Sequence, residues 1–478
     1  MDKKQNNFPI EFNSMFREYD IRGRVNDTEM CPENVYRIVK AYCKYLQKRN
    51  ITKAVVGYDN RDCSVALANS AIKALREAGI DVYFIGLTLT PIVYWAQYFF
   101  KSEGAVMITA SHNPNGWSGF KLAKGYSKTL ESFDIVEVFN YLDEELDIKP
   151  TKLGNLVEQN VRDEYISDVV SKIKMGDRKI KVVTEGANGG AGLFMNEVFE
   201  RIGCLTFQLN AEPDVTYPKY FPNPSNIDAR KSMIEMVKHP YVKADLGVFL
   251  DGDGDRIGVV DNNGNNIWSD MILAILSKQL LKKKGNAKIV YDVKCSKALE
   301  EVILKYGGTP IMWKTGHSYI KAKMHEVGAD LAGERSGHIF VGGDDYYAFD
   351  DAVFVAAKLI EYLSWSKKSL AEEIDEFPKY VTTPEIKASC KDELKYGVID
   401  KVTETFKSMF PNKVCDINGA RVQFENGWGL IRASSNLPEV VIIIEADTME
   451  HVKEIRKIFK HVLKNYPEIS SNWDNDIE

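Results

Sequence analysis

At 478 residues, with 44% hydrophobic and 27% charged side chains, the chain is too long for one hydrophobic core and has the composition of roughly three or four ordinary globular domains. A formal net charge of −6 leaves no basic footprint for nucleic acid, so an anionic ligand needs a local cluster of Arg and Lys. No apolar h-region opens the sequence and no apolar run approaches the ~18 residues of a membrane span.

The seven cysteines are widely spaced with no CxxC pair, and the seven histidines form no HExxH, which argues against a disulfide scaffold or zinc site and for reduced thiols in the cytoplasm. The expected elements recur as one unit three times. In the first copy the strand KAVVGYD (53–59) leads to the helix SVALANSAIKALREAG (64–79), then DVYFIG, the helical PIVYWAQYFF and the strand opening GAVMITASHN (104–113). In the second, IKVV (180–183) leads to AGLFMNEVFERIG, CLTFQL, the helical DARKSMIEMVKH and ADLGVFLDGDGD (244–255). In the third, KIVYDV (288–293) leads to SKALEEVILKYGG, TPIMW, YIKAKMHEVG and ADLAGERSG (329–337). Apolar residues at helical spacing, such as Ala71, Leu75 and Ala78, with glycines closing the helices, predict α/β units. Their sheets should be mostly parallel, with helices on both faces. From about residue 376 the pattern changes to a helix over 393–410, hairpin strands ARVQFENGWGLIRA (420–433), the strand EVVIIIEA (439–446) and a closing helix (450–465). The fold class is therefore α/β, with domains over 1–155, 156–262 and 263–375 and a smaller α+β domain over 376–478.

Each third strand runs into a polar, Gly-rich loop: TASHNP (109–114), DGDGDR (251–256) and GERSGH (333–338). Ligands of open α/β sheets sit beyond the carboxyl ends of strands, so these are three candidate walls of one cleft. Gly, Asp, Asn and Ser also favour plain turns, but three such loops at matching positions argue for more. Asp251, Asp253 and Asp255 suit a hard divalent cation. An EF-hand is excluded, since its sixth position holds Arg256 in place of Gly and its twelfth Asn262 in place of Glu. Mg²⁺, which takes few protein ligands and shares its shell with phosphate, fits better. The Ser111–His112 pair suggests a serine hydrolase, but adjacent loop residues rarely face each other and G-x-S-x-G is absent. A serine facing Mg²⁺ is suited instead to accept and donate a phosphoryl group. Arg17, Arg22, Arg24, Lys121, Arg256, Lys294, His317 and Arg432 lie near these loops and supply candidate phosphate grips.

From about residue 14 to 465 the chain resembles the α-D-phosphohexomutases, and it looks closest to their bacterial phosphomannomutase/phosphoglucomutase branch. The resemblance rests on FREYDIRGRV (16–25), TASHNP, DGDGDRIGVV, YDVKC (291–295), MWKTGHSYIK (312–321), LAGERSGH (331–338) and GWGLIRASSN (427–436), in that order. It implies four domains around a central cleft. It also implies an isomerase that interconverts hexose 1-phosphate and hexose 6-phosphate through a phosphoserine enzyme and a hexose 1,6-bisphosphate, which doubles as activator. By that resemblance Ser111 is the phosphoserine and joins Asp251, Asp253 and Asp255 in holding one Mg²⁺. Lys121 and His338 are then the general acid/base candidates, with Arg22 and Arg256 beside them in the catalytic set. Tyr19, Lys294, His317, Glu334 and Ser336 meet the sugar, and Arg432, Ser434, Ser435 and Asn436 form the loop for the non-reacting phosphate.

The sequence departs from that branch at Leu437, which stands where a hydrogen-bonding side chain is usual. Arg335 replaces a common Met, to add a charge beside the sugar loop or to face solvent, and EGANGG (185–190) lacks the usual Asp. The KTGH segment favours mannose or glucose over glucosamine as the sugar. A phosphoglucosamine mutase and a Mg²⁺-dependent sugar phosphatase remain the alternatives, whereas a non-catalytic sensor would have lost Ser111 or the Asp triplet. The expected partner is a small phosphosugar, with no nucleic acid and no membrane; monomer and dimer both stay open.

Overall fold

The computed structural model describes residues 15–142, 144 and 152–474. Among them no helix is long and apolar enough to cross a membrane. The three repeats share one sheet topology. In the first, Lys53–Tyr58 lies between Asp81–Leu87 and Gly104–Ile108, all parallel. In the second, Lys181–Glu185 lies between Leu205–Leu209 and Leu246–Leu250. In the third, Lys288–Asp292 lies between Thr309–Trp313 and Leu331–Gly333.

The sheets are mixed rather than mostly parallel, because each third strand is followed by an antiparallel fourth. These are Trp117–Gly125, Ile257–Asp261 and Ile339–Val341. The Gly-rich loops between third and fourth strands are too short for a crossover, so the chain can only turn back as a hairpin. That return fixes where the polar residues end up: at the tip of a hairpin, beyond the carboxyl end of the third strand. The strand Leu156–Glu158 pairs with Asp81–Leu87 and carries the first sheet past residue 155, the limit expected for that domain.

Alternation along the strands splits the cores. Val56, Val82 and Val106 face a cluster with Leu67, Ala71 and Leu75 of the helix Ser64–Glu77. Val55, Ala105 and Met107 face the other way, into a cluster that continues through Phe194 and Val248 to Ile289 and Val353. The first three domains thus share one apolar core. Helices end where expected: Gly79 (φ 78°) and Gly203 (φ 92°) take left-handed conformations just past Ser64–Glu77 and Gly192–Arg201.

The fourth domain is an antiparallel sheet with its helices on one face. Ile431, Ala433, Ile442 and Ile444 pack beneath Val402, Phe406, Ile455 and Phe459 of the helices Lys395–Met409 and Met449–Leu463. The opposite face, Trp428, Leu430, Val441 and Ile443, packs on Val293 of the third domain. Arg421 secures that contact: its guanidinium lies 3.8 Å from the Trp428 ring centroid and donates to Val293 O at 2.6 Å and Cys295 O at 3.2 Å.

Candidate active site

Ser111 sits at the tip of the first hairpin with φ 52°, a left-handed conformation that a non-glycine residue adopts only when held. Its N–H donates to Thr109 Oγ1 at 2.8 Å, and its Oγ donates to Asp251 Oδ2 at 2.8 Å across the gap between domains. His112 does face its neighbour, contrary to the expectation for adjacent residues: Nδ1 lies 3.0 Å from Ser111 Oγ. The left-handed turn at Ser111 is what swings the two side chains together. The hydrolase reading gains nothing, because among the described residues no carboxylate hydrogen-bonds His112; Arg256 Nη1 lies 3.5 Å from its Nε2 instead. Burial, then Arg256 and Arg22, hold this imidazole well below the usual histidine range.

Asp251, Asp253 and Asp255 are buried at the second hairpin, each offering an oxygen within 4.8 Å of the others. Lys121, on the fourth strand of the first sheet, reaches Asp253 Oδ2 at 2.6 Å and also pairs with Asp255 Oδ2. Asp253 Oδ2 further accepts from Thr90 Oγ1 at 2.7 Å, at the start of the helix Thr90–Phe100. Burial raises the Asp253 carboxyl, but Lys121 outweighs it and the pKa ends below the usual value. Lys121 stays protonated for the reciprocal reason: Asp253 and Asp255 overcome its burial. Burial and the two neighbouring carboxylates push Asp251 well above the usual range. The Oδ1 atoms of Asp253 and Asp255 are buried with no hydrogen-bond partner. Three convergent carboxylates with two bare oxygens, beside a serine hydroxyl, fit a hard divalent cation.

The third hairpin adds His338, whose Nδ1 lies 2.9 Å from Asp350 Oδ2 while Nε2 accepts from Arg256 Nε at 2.9 Å. His317 stacks on His338 with ring centroids 5.3 Å apart and meets Tyr19 edge-on at 5.1 Å. Its Nδ1 is buried without a hydrogen bond, and burial with Lys321 nearby holds its pKa well down. Glu334 accepts from the Gly316 N–H, and Ser336 is half-buried beside it. Arg22 spans Asp20 at 2.7 Å and Asn113 Oδ1 at 3.1 Å, and so sits against the Ser111 loop. From the fourth domain, Arg432 donates to Asn418 Oδ1 at 2.8 Å and Ser435 Oγ at 3.1 Å. The Oδ1 of Asn436 is unpartnered.

Four family models match in order. They are described as phosphoglucomutase/phosphomannomutase, alpha/beta/alpha domains I, II and III, over residues 13–145, 163–264 and 268–380, and C-terminal domain, over 385–462. The chain belongs to this family. A phosphomannomutase/phosphoglucomutase of Pseudomonas syringae is 36% identical over 95% of this chain and 96% of its own. A phosphoglucomutase of Neisseria meningitidis is 33% identical over 95% and 98%. The crystal structure of a family protein from Burkholderia thailandensis superimposes with a TM-score of 0.87 at 32% identity, covering 95% of this chain and 97% of that one.

The three hairpin loops and the Arg432 loop all contribute to this region, and two carboxylates outside the motif segments, Asp350 and Glu385, do as well. Asp350 orients His338, and Lys321 Nζ sits 3.2 Å from its other oxygen. Glu385 holds Lys294 at 2.9 Å, and that lysine lowers its pKa to about 2. The only local signal for either was a carboxylate near a strand or loop end. Arg335, within the sugar loop itself, does not face solvent. It is buried over Trp268, 4.8 Å from the ring centroid, and donates to Asp270 Oδ2 at 3.1 Å. Leu437 points its side chain outward, while its N–H donates to Ser434 Oγ at 3.3 Å. Glu185 of EGANGG is a brace: it accepts from the Ala187 N–H and from Tyr220 Oη, both at 2.7 Å.

Proposed function

We propose that this phosphohexomutase carries a phosphoryl group on Ser111 and interconverts the 1- and 6-phosphates of mannose and glucose in the cytoplasm. The observation that supports this most is Ser111 Oγ at 2.8 Å from Asp251 Oδ2, at the rim of three buried carboxylates with two bare oxygens. Asp251, Asp253 and Asp255 would hold one Mg²⁺ together with the phosphorylated Ser111. Bound there, the ion would neutralise charge on the transferring oxygens. The seven free cysteines accord with a reducing compartment.

In the forward step the bond from Ser111 Oγ to phosphorus breaks as a bond forms from phosphorus to the free sugar hydroxyl, giving a hexose 1,6-bisphosphate. The hydroxyl proton has to leave. His338 is the base for it, since Asp350 keeps the proton on Nδ1 and leaves the Nε2 lone pair toward Arg256 and the cleft. Arg256 must then exchange its bond to Nε2 for one to the phosphate. Lys121, held protonated between two carboxylates, would be the acid that supplies a proton to the serine oxygen when the phosphoryl group departs. Tyr19, Arg22, Lys294, His317, Glu334 and Ser336 bind the sugar. Arg432, Ser434, Ser435 and Asn436, with the Leu437 N–H, grip the phosphate that does not react. The bisphosphate turns over in the cleft and returns its other phosphate to Ser111; free hexose 1,6-bisphosphate recharges the enzyme and acts as activator.

Phosphorus NMR with Mg²⁺, a trace of glucose 1,6-bisphosphate and mannose 1-phosphate or glucose 1-phosphate tests this reading, with Ser111→Ala beside the wild type. Conversion to the 6-phosphate by the wild type alone supports it. Accumulation of inorganic phosphate would make the protein a phosphatase, and conversion of glucosamine phosphate alone would move it to another branch.

A further inference from the structure

The hairpin that carries Ser111 is fastened from behind by a residue none of the motifs includes. Arg61, 3% exposed, lies just past the central strand Lys53–Tyr58, and its guanidinium uses four of its N–H groups on one neighbourhood. Nη2 donates to Ser111 O at 3.0 Å and to Asn113 O at 2.6 Å, and Nη1 to Pro114 O at 3.0 Å. Nε is held by Asp59 Oδ2 at 3.0 Å, and the other oxygen of Asp59 takes Ser64 Oγ at 2.6 Å. From the second domain, Tyr217 covers the guanidinium at 5.8 Å and donates to Asn60 Oδ1 at 3.0 Å. Asn60 in turn donates to Asn188 O at 3.0 Å. The fastening therefore joins the Ser111 hairpin to the domain that supplies Asp251.

A left-handed non-glycine residue persists only where its surroundings over-determine it. Ser111 needs that conformation to aim Oγ at Asp251, and the carbonyl that Arg61 grips is Ser111's own. We propose that Arg61 is a positioning residue for phosphoryl transfer, holding the Ser111 backbone in the turn that aims Oγ into the carboxylate cluster. This rests on the mutase reading above. Arg61 touches neither substrate nor reacting oxygen, so its loss lowers turnover and leaves sugar-phosphate binding intact. A lysine keeps the charge but lacks the planar fork that spans three carbonyls.

The test compares wild type, Arg61→Lys and Arg61→Ala in the glucose 1-phosphate assay with Mg²⁺ and glucose 1,6-bisphosphate. Melting temperature is measured in parallel. For Arg61→Ala, kcat should fall on the order of 100-fold with KM within about threefold of wild type. Arg61→Lys should lie between the two. Millimolar guanidinium should recover much of the lost kcat in Arg61→Ala while methylammonium does not, a response that a purely structural defect would not give. If Arg61→Ala does not fold, Arg61→Lys decides alone: a kcat at least fivefold down with KM unchanged supports the assignment. A folded variant with kcat within twofold of wild type, or a loss seen in KM alone, overturns it. An inactive wild type would instead defeat the mutase reading.

Discussion

Replacing Lys121 by methionine leaves the carboxylates of Asp253 and Asp255 in place and takes away the ammonium that touches both. The lysine is 4% exposed and both aspartates are fully or almost fully buried, so water cannot substitute for it. Breaking a buried ion pair by deleting one partner costs about 3–5 kcal/mol, because a charge is stranded in low dielectric. Each of these aspartates already has one bare Oδ1, so the remaining protein donors do little to offset the loss. In EDTA, Lys121→Met should therefore melt about 3–5 °C below wild type, since the shift is the lost free energy divided by an unfolding entropy that grows with chain length. Mg²⁺ at ~100 times its dissociation constant adds about 2.7 kcal/mol to any form that binds it, and the variant should bind it more tightly than wild type does. The gap in melting temperature should accordingly narrow when Mg²⁺ is added, while mutase activity stays at least about 100-fold down for want of the proton donor. Calorimetry with and without Mg²⁺ reads both numbers. A variant that melts within about 2 °C of wild type in EDTA, or a gap that widens with Mg²⁺, would refute the view that Lys121 neutralises an otherwise over-charged cluster.

Three further outcomes follow from the geometry. A methyl group on Gly252 would meet Ser111 O at 2.8 Å and Pro222 Cγ at 3.0 Å, so Gly252→Ala should wedge the two hairpins apart. A displacement near 1 Å costs about 100-fold in rate, and kinetics showing a loss under threefold would contradict it. Leu437→Thr should leave KM within about twofold, because the side chain is 45% exposed and it is the 437 N–H that bonds Ser434; a tenfold change would show that the side chain matters. Asp351 caps the helix Ala352–Trp365 and accepts from Tyr165 and Tyr346, yet burial still raises its pKa to about 6. The folded protein thus holds this proton more tightly than the unfolded chain, so stability falls as pH rises from about 4 to about 6, by roughly 3 kcal/mol in all. Asp351→Asn keeps an oxygen for the cap and abolishes the titration; a wild-type-minus-variant difference that is flat over this range would rule the shift out.

The repeat, the order of strands and helices up to each third strand, and the three polar loops that follow were legible in the sequence because each is a local matter. Gly79 and Gly203 stop helices by their own backbone freedom, and LGVFL before Asp251 reads as a buried strand wherever the chain places it. The chemistry of DGDGDR was equally plain, since three carboxylates in six residues have few uses besides a cation. Partnership was another matter. Ser111 and Asp251 are 140 residues apart and meet only because two sheets pack through a shared core. The same packing turns Arg335 inward onto Asp270, away from the solvent that was one of its two expected surroundings. It also brings Lys121 from the first sheet to neutralise carboxylates of the second, and Asp350 to fix the tautomer of His338. At Lys121 and Asp253 the opposite charge alongside outweighs burial, and both burial and neighbouring charge are properties of the assembled domains rather than of any segment. The sequence by itself therefore determined which loops hold the chemistry; the tertiary structure decided which atoms face each other and which of them carry a proton.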